Sequence, residues 1–224
     1  MKVILFGATG MVGQGVLREC LIDADVDRVL SIGRSSVAVS NPKFEQILRP
    51  DLSNYSDIET KLTGYDACFF CLGVSSGGMD KQEYERITFG ITLAAAEVLC
   101  RLNPQMTFVY VTGMGTDSSE KGRVFWARIK GRTENALLRL PFKAAYMFRP
   151  GFIEPMHGVR SKTLSYRLFY DATRPFMQVM RWLFPGFILT TEQIGRAMLA
   201  VVRNGAEEKV LETRDIANLA RSIS

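Results

Sequence analysis

Three groups of residues point to chemistry. The first is Gly7-Ala-Thr-Gly10-Met-Val-Gly13, set between an apolar strand-like run and a segment of helical spacing. In that context Gly7 permits a tight turn, Gly10 lets the backbone approach a pyrophosphate with no Cβ in the way, and Gly13 lets a helix pack on its strand. Thr9, Met11 and Val12 complete the turn and open the helix, whose free N–H groups and positive dipole end favour phosphate. The second group is Arg34 with Ser35 and Ser36, 21 residues after Gly13 at the end of the next strand. An acidic residue there would hold a ribose 2′-hydroxyl. Arg34 instead offers a planar, permanent charge and Ser35 a hydroxyl, which suits the 2′-phosphate of NADP and makes NAD the lesser expectation. The third group is Cys68 and Cys71, a CxxC inside the apolar run Asp66–Leu72. Strand residues three apart face opposite ways, so these thiols should diverge and act as small buried hydrophobes.

The elements that must position these groups alternate along the chain. Strands are expected at Lys2–Phe6, Arg28–Ile32, Phe44–Leu48, Ala67–Leu72, Met106–Thr112, Ala144–Phe148 and Lys209–Leu211. Helices are expected at Met11–Ile22, Ser56–Leu62, Asp80–Leu102 and Arg123–Leu140. Near-continuous apolar strands separated by helices imply a parallel sheet covered on both faces. The expected fold class is therefore α/β: a Rossmann, doubly wound parallel sheet in residues 1–158. A small helical C-terminal cap and a return to the core fill residues 159–224, within one structural domain. In the cap, Phe176, Val179, Met180 and Leu183 share a helical face, and Thr190–Gln193 has the pattern of a capping box.

The chain has 224 residues, with 28 basic and 23 acidic. That length buries enough surface to fold without disulfide or metal staples. His157 is the only histidine, so a zinc centre or a Ser-His-Asp triad is poorly supplied and no metal is expected. Four cysteines fit reduced thiols in a cytosolic compartment. No uncharged apolar run reaches the length of a transmembrane helix. Seven basic residues and only two acidic ones fall between Arg160 and Arg203, so the whole net charge of +5 lies in that stretch. Aromatic residues interleave those charges. Three readings stay open: a plain helical cap, a lid for an anionic or amphiphilic small-molecule substrate, and a face for a membrane surface or acidic partner. Nucleic acid is not expected, because the segment matches no DNA-binding module. A monomer or weak homodimer is expected.

With its glycine turn, its strand and helix order and its Arg149-Pro150-Gly151 element, the sequence resembles the short-chain dehydrogenase/reductase superfamily over essentially its whole length. The resemblance is to the atypical members: the nitrogen-metabolite-repression regulator-like, Tat-interacting oxidoreductase-like and epimerase-like proteins. It implies that Asp51 and Leu52 lie beside an adenine, and that Gly73 and Val74 pass the ribose and pyrophosphate. It also implies that Thr112 or Thr116 stands in the place of the catalytic Ser/Thr. Lys130 would hold the nicotinamide ribose, and Pro150, Gly151 and Phe152 would flank the carboxamide. The family's catalytic tyrosine stands four residues before the lysine, and here that residue is Trp126. An indole N–H donates a hydrogen bond but does not exchange its proton at neutral pH.

Three explanations follow. Another donor acts (Thr112, Thr116, Tyr166, Tyr170 or His157), or the hydride chemistry needs no strong acid, or the protein is a redox-sensing regulator that binds NADP(H) without turnover. Trp126 is read either as helix packing or as one wall of the nicotinamide pocket. Glu134, one turn after Lys130, is expected to form an i,i+4 ion pair with it.

Overall fold

The computed structural model describes residues 1–157 and 188–222. Seven strands form one parallel sheet: β1 (Lys2–Phe6), β2 (Arg28–Gly33), β3 (Phe44–Leu48), β4 (Ala67–Phe70), β5 (Thr107–Val111), β6 (Ala144–Arg149) and β9 (Val210–Glu212), in the order β3-β2-β1-β4-β5-β6-β9. Strand order reverses between β1 and β4, which pair in register from Val3↔Ala67 to Phe6↔Phe70. Ligands of open α/β sheets bind at such a switch point, beyond the carboxyl ends of the strands.

The central strands are buried on both faces because helices cover both. One layer packs α1 (Met11–Ile22), α5 (Thr191–Asn204) and α6 (Thr213–Arg221) around Val3, Leu5, Phe69 and Phe148. The other packs α3 (Thr92–Leu102) and α4 (Phe125–Arg139) around Ile4, Phe6, Phe70 and Phe108, with the short α2 (Lys81–Glu85) ahead of α3 in the chain. Cys68 belongs to the second layer and Cys71 packs on the first. The two thiols of the CxxC therefore sit on opposite faces, as the strand period requires. All four cysteines are free, and burial pushes the Cys68 and Cys71 thiols well up.

Two expected helices take a different form. The Asp80–Leu102 segment begins at Asp80, whose carboxylate accepts from the Gln82 and Glu83 N–H groups, but a six-residue π-helical stretch, Arg86–Ile91, separates α2 from α3. At Ser56–Leu62 only a 3₁₀ turn forms, Glu59–Lys61, because each carbonyl there is met three residues on (Ile58 N–H to Tyr55, Leu62 N–H to Glu59). At α5 the capping box forms: Thr190 Oγ1 accepts from the Gln193 N–H, and the Gln193 side chain accepts from the Thr190 N–H. Two short parallel strands, β7 (Phe152–Glu154) and β8 (Ile188–Thr190), form a second sheet. The helix expected over Phe176–Leu183 lies outside the described residues, as do Tyr166 and Tyr170.

Candidate active site

β1 runs directly into Gly7, whose φ of 80° is left-handed. A Cβ there would lie 2.6 Å from backbone atoms of Cys71 and Leu72, the chain leaving β4. A Cβ on Gly13 would lie 2.1 Å from the Gly7 carbonyl oxygen, so α1 can rest on the turn only with glycine at that place. Gly10 is different. Its Cβ would meet only the Gly7 carbonyl oxygen, at 3.3 Å, so the chain itself presses on it far less. The Gly10 N–H donates to the Gly7 carbonyl at 2.9 Å, and the Gln14 amide donates to the Thr9 carbonyl at 3.2 Å, which holds the turn. Gly10 caps α1 with extended backbone. No side chain caps that end, and the first turn carries no acidic residue. Open N–H groups and the positive end of a twelve-residue helix, with no competing carboxylate, fit a phosphate.

Arg34 and Ser35 are exposed beyond β2. The Glu83 carboxyl is held below the usual range chiefly by Arg86, with a smaller contribution from Arg34. The neighbouring Arg49 is committed to Asp57 at 2.7 Å and to the Asn54 carbonyl. Asp51 is exposed and accepts from the Ser53 hydroxyl and N–H, which lower its pKa. Leu52 is core, packed with Phe6 and Tyr55. A Cβ on Gly73 would meet nothing within 4 Å, so the chain is open at that point, while Leu72 and Val74 on either side are half-buried against the second layer.

The other half of the site gathers where β5, α4 and β6 meet. Lys130 is half-buried, and its Nζ donates to the Thr112 carbonyl at 2.7 Å. A Cβ on Gly113 would lie 3.8 Å from that Nζ and 3.9 Å from the Pro150 carbonyl oxygen, so these groups crowd one spot. Trp126 stands beside them, its ring centroid 5.9 Å from Lys130 Nζ and its edge against Gly115. Burial lowers the Lys130 pKa to about 8, against the opposing pull of Glu134. The Pro150 carbonyl accepts from the Met114 N–H at 3.0 Å, and the Gly151 N–H donates to Thr213 Oγ1 at 2.9 Å. Met114 and Phe152 are about half exposed at this rim.

Glu134 does not form the expected ion pair with Lys130. It is 1% exposed and takes the Arg149 guanidinium in a forked grip, Nε to Oε1 at 3.0 Å and Nη2 to Oε2. It also accepts the Thr112 hydroxyl at 2.6 Å. Arg149 lies on β6, and the spacing of Lys130 and Glu134 on one helix gave no sign of so distant a partner. The Thr116 hydroxyl donates to the Gly113 carbonyl at 2.8 Å. His157 faces Glu192 at 3.2 Å and lines a cavity of about 660 Å³ on the flank of α1, between α1 and the Ser36–Asn41 loop.

Two supports of the site were not foreseen. A Cβ on Gly131 would lie 1.8 Å from the Asp117 carbonyl oxygen, so glycine lets α4 press on the loop after β5 right beside Lys130. Thr213, which holds Gly151, opens α6. The apolar spacing of Ile216, Ala217 and Ala220 signals that helix.

No protein-family model matches the chain. The leucinostatins biosynthesis cluster protein T of Purpureocillium lilacinum is 30% identical over 234 aligned positions, covering 90% of this chain and 85% of that protein. The chain belongs to the family of that protein. Another relative of this protein T family member is "Protein FMP52-2, mitochondrial" of Scheffersomyces stipitis, 26% identical over 98% of this chain and 97% of that protein. Among solved structures, the Bordetella bronchiseptica enzyme WbmF in complex with NAD+ superposes with a TM-score of 0.69, at 16% identity, over 99% of this chain and 77% of that one. An oxidoreductase of the short-chain dehydrogenase/reductase family from Burkholderia thailandensis gives 0.68 at 14% identity, over 97% and 92%. The fold is thus the α/β Rossmann fold of such enzymes. The cytosolic expectation is overturned, because FMP52 relatives from several yeasts are named as mitochondrial proteins. The four cysteines are free and lie buried or half-buried in the core, and do not tell one compartment from another. Among the described residues, no helix is long and apolar enough to cross a membrane.

Proposed function

We propose that the protein is an NADP(H)-binding oxidoreductase of the atypical short-chain type, acting on a small organic substrate, with Lys130 carrying the proton that a tyrosine carries in the enzymes it resembles. The observation that carries this reading is the placement of an uncapped helix N-terminus and a half-buried lysine at the carboxyl edge of one parallel sheet. Gly7, Thr9, Gly10, Met11, Val12 and Gly13 would hold the pyrophosphate, with Arg34 and Ser35 on the 2′-phosphate. Asp51 and Leu52 would stand at the adenine, Gly73 and Val74 along the ribose and pyrophosphate, and Pro150, Gly151 and Phe152 about the nicotinamide. When bound, NADP(H) supplies a hydride for reduction and accepts one in the reverse direction.

The choice of donor follows from the bonds already made. The Thr112 hydroxyl is committed to Glu134 and the Thr116 hydroxyl to the Gly113 carbonyl. His157 is engaged by Glu192 beside α1. The Lys130 ammonium has three N–H donors, and its bond to the Thr112 carbonyl uses one. A pKa near the working pH suits a group that must give and regain a proton. Trp126 would wall the spot, with the half-exposed Met114 and Phe152 offering an apolar rim to a substrate. The mitochondrial names of relatives support a mitochondrial setting.

Trp126 also motivates the competing reading, a regulator that binds NADP(H) without turnover. Trp126→Tyr decides between them. Restoring a phenol one turn before Lys130 is expected to raise NADPH oxidation about tenfold or more on a panel of carbonyls and activated alkenes. Tight NADPH binding with no turnover in either protein would favour the regulator.

A further inference from the structure

We propose that Glu134 is a positioning residue for Lys130. By gripping the Thr112 hydroxyl and the Arg149 guanidinium, it fixes the Thr112 carbonyl to which the ammonium is bonded. This rests on the reading of Lys130 as the working cation of the site.

A lysine has a long, freely rotating stem and a compact charge, so something must set where that charge stands. On α4, Glu134 lies one turn beyond Lys130 on the same face, and the default for such a pair is direct contact. That contact would draw the ammonium back along its own helix. It is not made: Glu134 turns to other donors, Oε1 accepting from the Thr112 hydroxyl and Arg149 Nε, and Oε2 from Arg149 Nη2. With three donors already on the Glu134 carboxylate, the ammonium turns instead to the Thr112 carbonyl.

That carbonyl is itself held from both sides. The Thr112 N–H donates to the Phe148 carbonyl on β6 at 2.8 Å, and the side chain is anchored on α4. Arg149 extends the lock, reaching Ser118 in the loop after β5 and Glu212 at the end of β9 at 3.3 Å. Four parts of the fold thus agree on one backbone oxygen. A buried ion pair that only held the helix to the sheet would not need the hydroxyl of the residue whose carbonyl binds the lysine.

The test follows Lys130 directly, by NMR titration of the protein with its lysines ¹³C-methylated. Lys130→Arg identifies the resonance. Thr112→Val removes the hydroxyl and leaves Glu134 Oε1 with Arg149 Nε alone, so the carboxylate can turn toward the ammonium and the Lys130 midpoint should rise by about one pH unit. Glu134→Gln removes the charge that favours the ammonium, so the midpoint should fall by a similar amount. Thr112→Ser keeps the hydroxyl and should leave the midpoint where it is. A midpoint unmoved in Thr112→Val, in a folded protein, would overturn the proposal, as would equal shifts in Thr112→Ser and Thr112→Val. The Thr112 pair decides the matter even where Glu134→Gln fails to fold. The readout needs no nucleotide or substrate. Opposite shifts in a protein that never oxidises NADPH would therefore leave the positioning intact and remove the oxidoreductase reading alone.

Discussion

Lys130→Met is expected to lower the rate of NADPH oxidation by a factor of about 10²–10⁴, the usual range for losing a positioned proton donor. Methionine keeps the length and apolar character of the stem. Because burial works against the Lys130 charge, the variant should fold at least as well as the parent, which separates a loss of rate from a loss of structure. The pH profile should carry the same signature. On the proposed reading the acid is the Lys130 ammonium, whose pKa burial lowers to about 8. Between pH 7 and pH 9 its protonated fraction falls from about nine-tenths to about one-tenth, so reduction should slow about tenfold. The reverse oxidation needs the neutral amine and should speed up. Stability has its own sign. The folded pKa lies below the ordinary 10.5, so the unfolded chain binds more protons between those values and stability should rise with pH in that window. Below pH 8 the burial penalty is fully present.

Glu134→Ala is expected to destabilise the fold by about 3–5 kcal/mol, because it leaves the Arg149 guanidinium buried without its main partner. In a chain of this size that corresponds to a melting temperature roughly 6–20 °C lower. Burial alone would lower the Arg149 pKa, and the Glu134 and Glu212 carboxylates more than offset it. The Thr112 hydroxyl also loses the acceptor it reaches at 2.6 Å. Replacing both members by apolar residues, Glu134→Leu with Arg149→Met, should recover much of the loss, since the cost lies in the orphaned charge. Thermal unfolding of the two variants checks this. A single variant that melts with the parent would contradict the burial of the pair.

The sheet was legible in the sequence because each of its strands is a short apolar run between breakers. The glycine turn was legible because Gly7 and Gly13 answer clashes within the chain itself, at 2.6 Å and 2.1 Å. The diverging thiols of Cys68 and Cys71 followed from strand period alone. What escaped notice depends on contacts between residues far apart in the chain. Helical spacing pairs Glu134 with Lys130, and nothing local shows that Arg149, from another strand, displaces the lysine. Gly131 reads as an ordinary helical glycine until the Asp117 carbonyl is seen against it. The π-helical stretch in the Asp80–Leu102 segment leaves the apolar pattern nearly intact, so a single helix was the natural reading. The charge excess proved less telling than its location suggested for two of its seven cations. Arg203 pairs with Asp23 and Asp25, and Arg196 with Glu192, while the other five lie outside the described residues.

The central claim is that the Gly7–Gly13 turn binds a dinucleotide and that Arg34 selects the phosphorylated form. Fluorescence titration of the protein with NADPH and with NADH, in the parent and in Arg34→Ala, tests it most directly. Loss of a charge-assisted contact should weaken NADPH about 10–150-fold and leave NADH within about twofold. Equal weakening of both nucleotides, or no binding of either to the parent, would contradict the account.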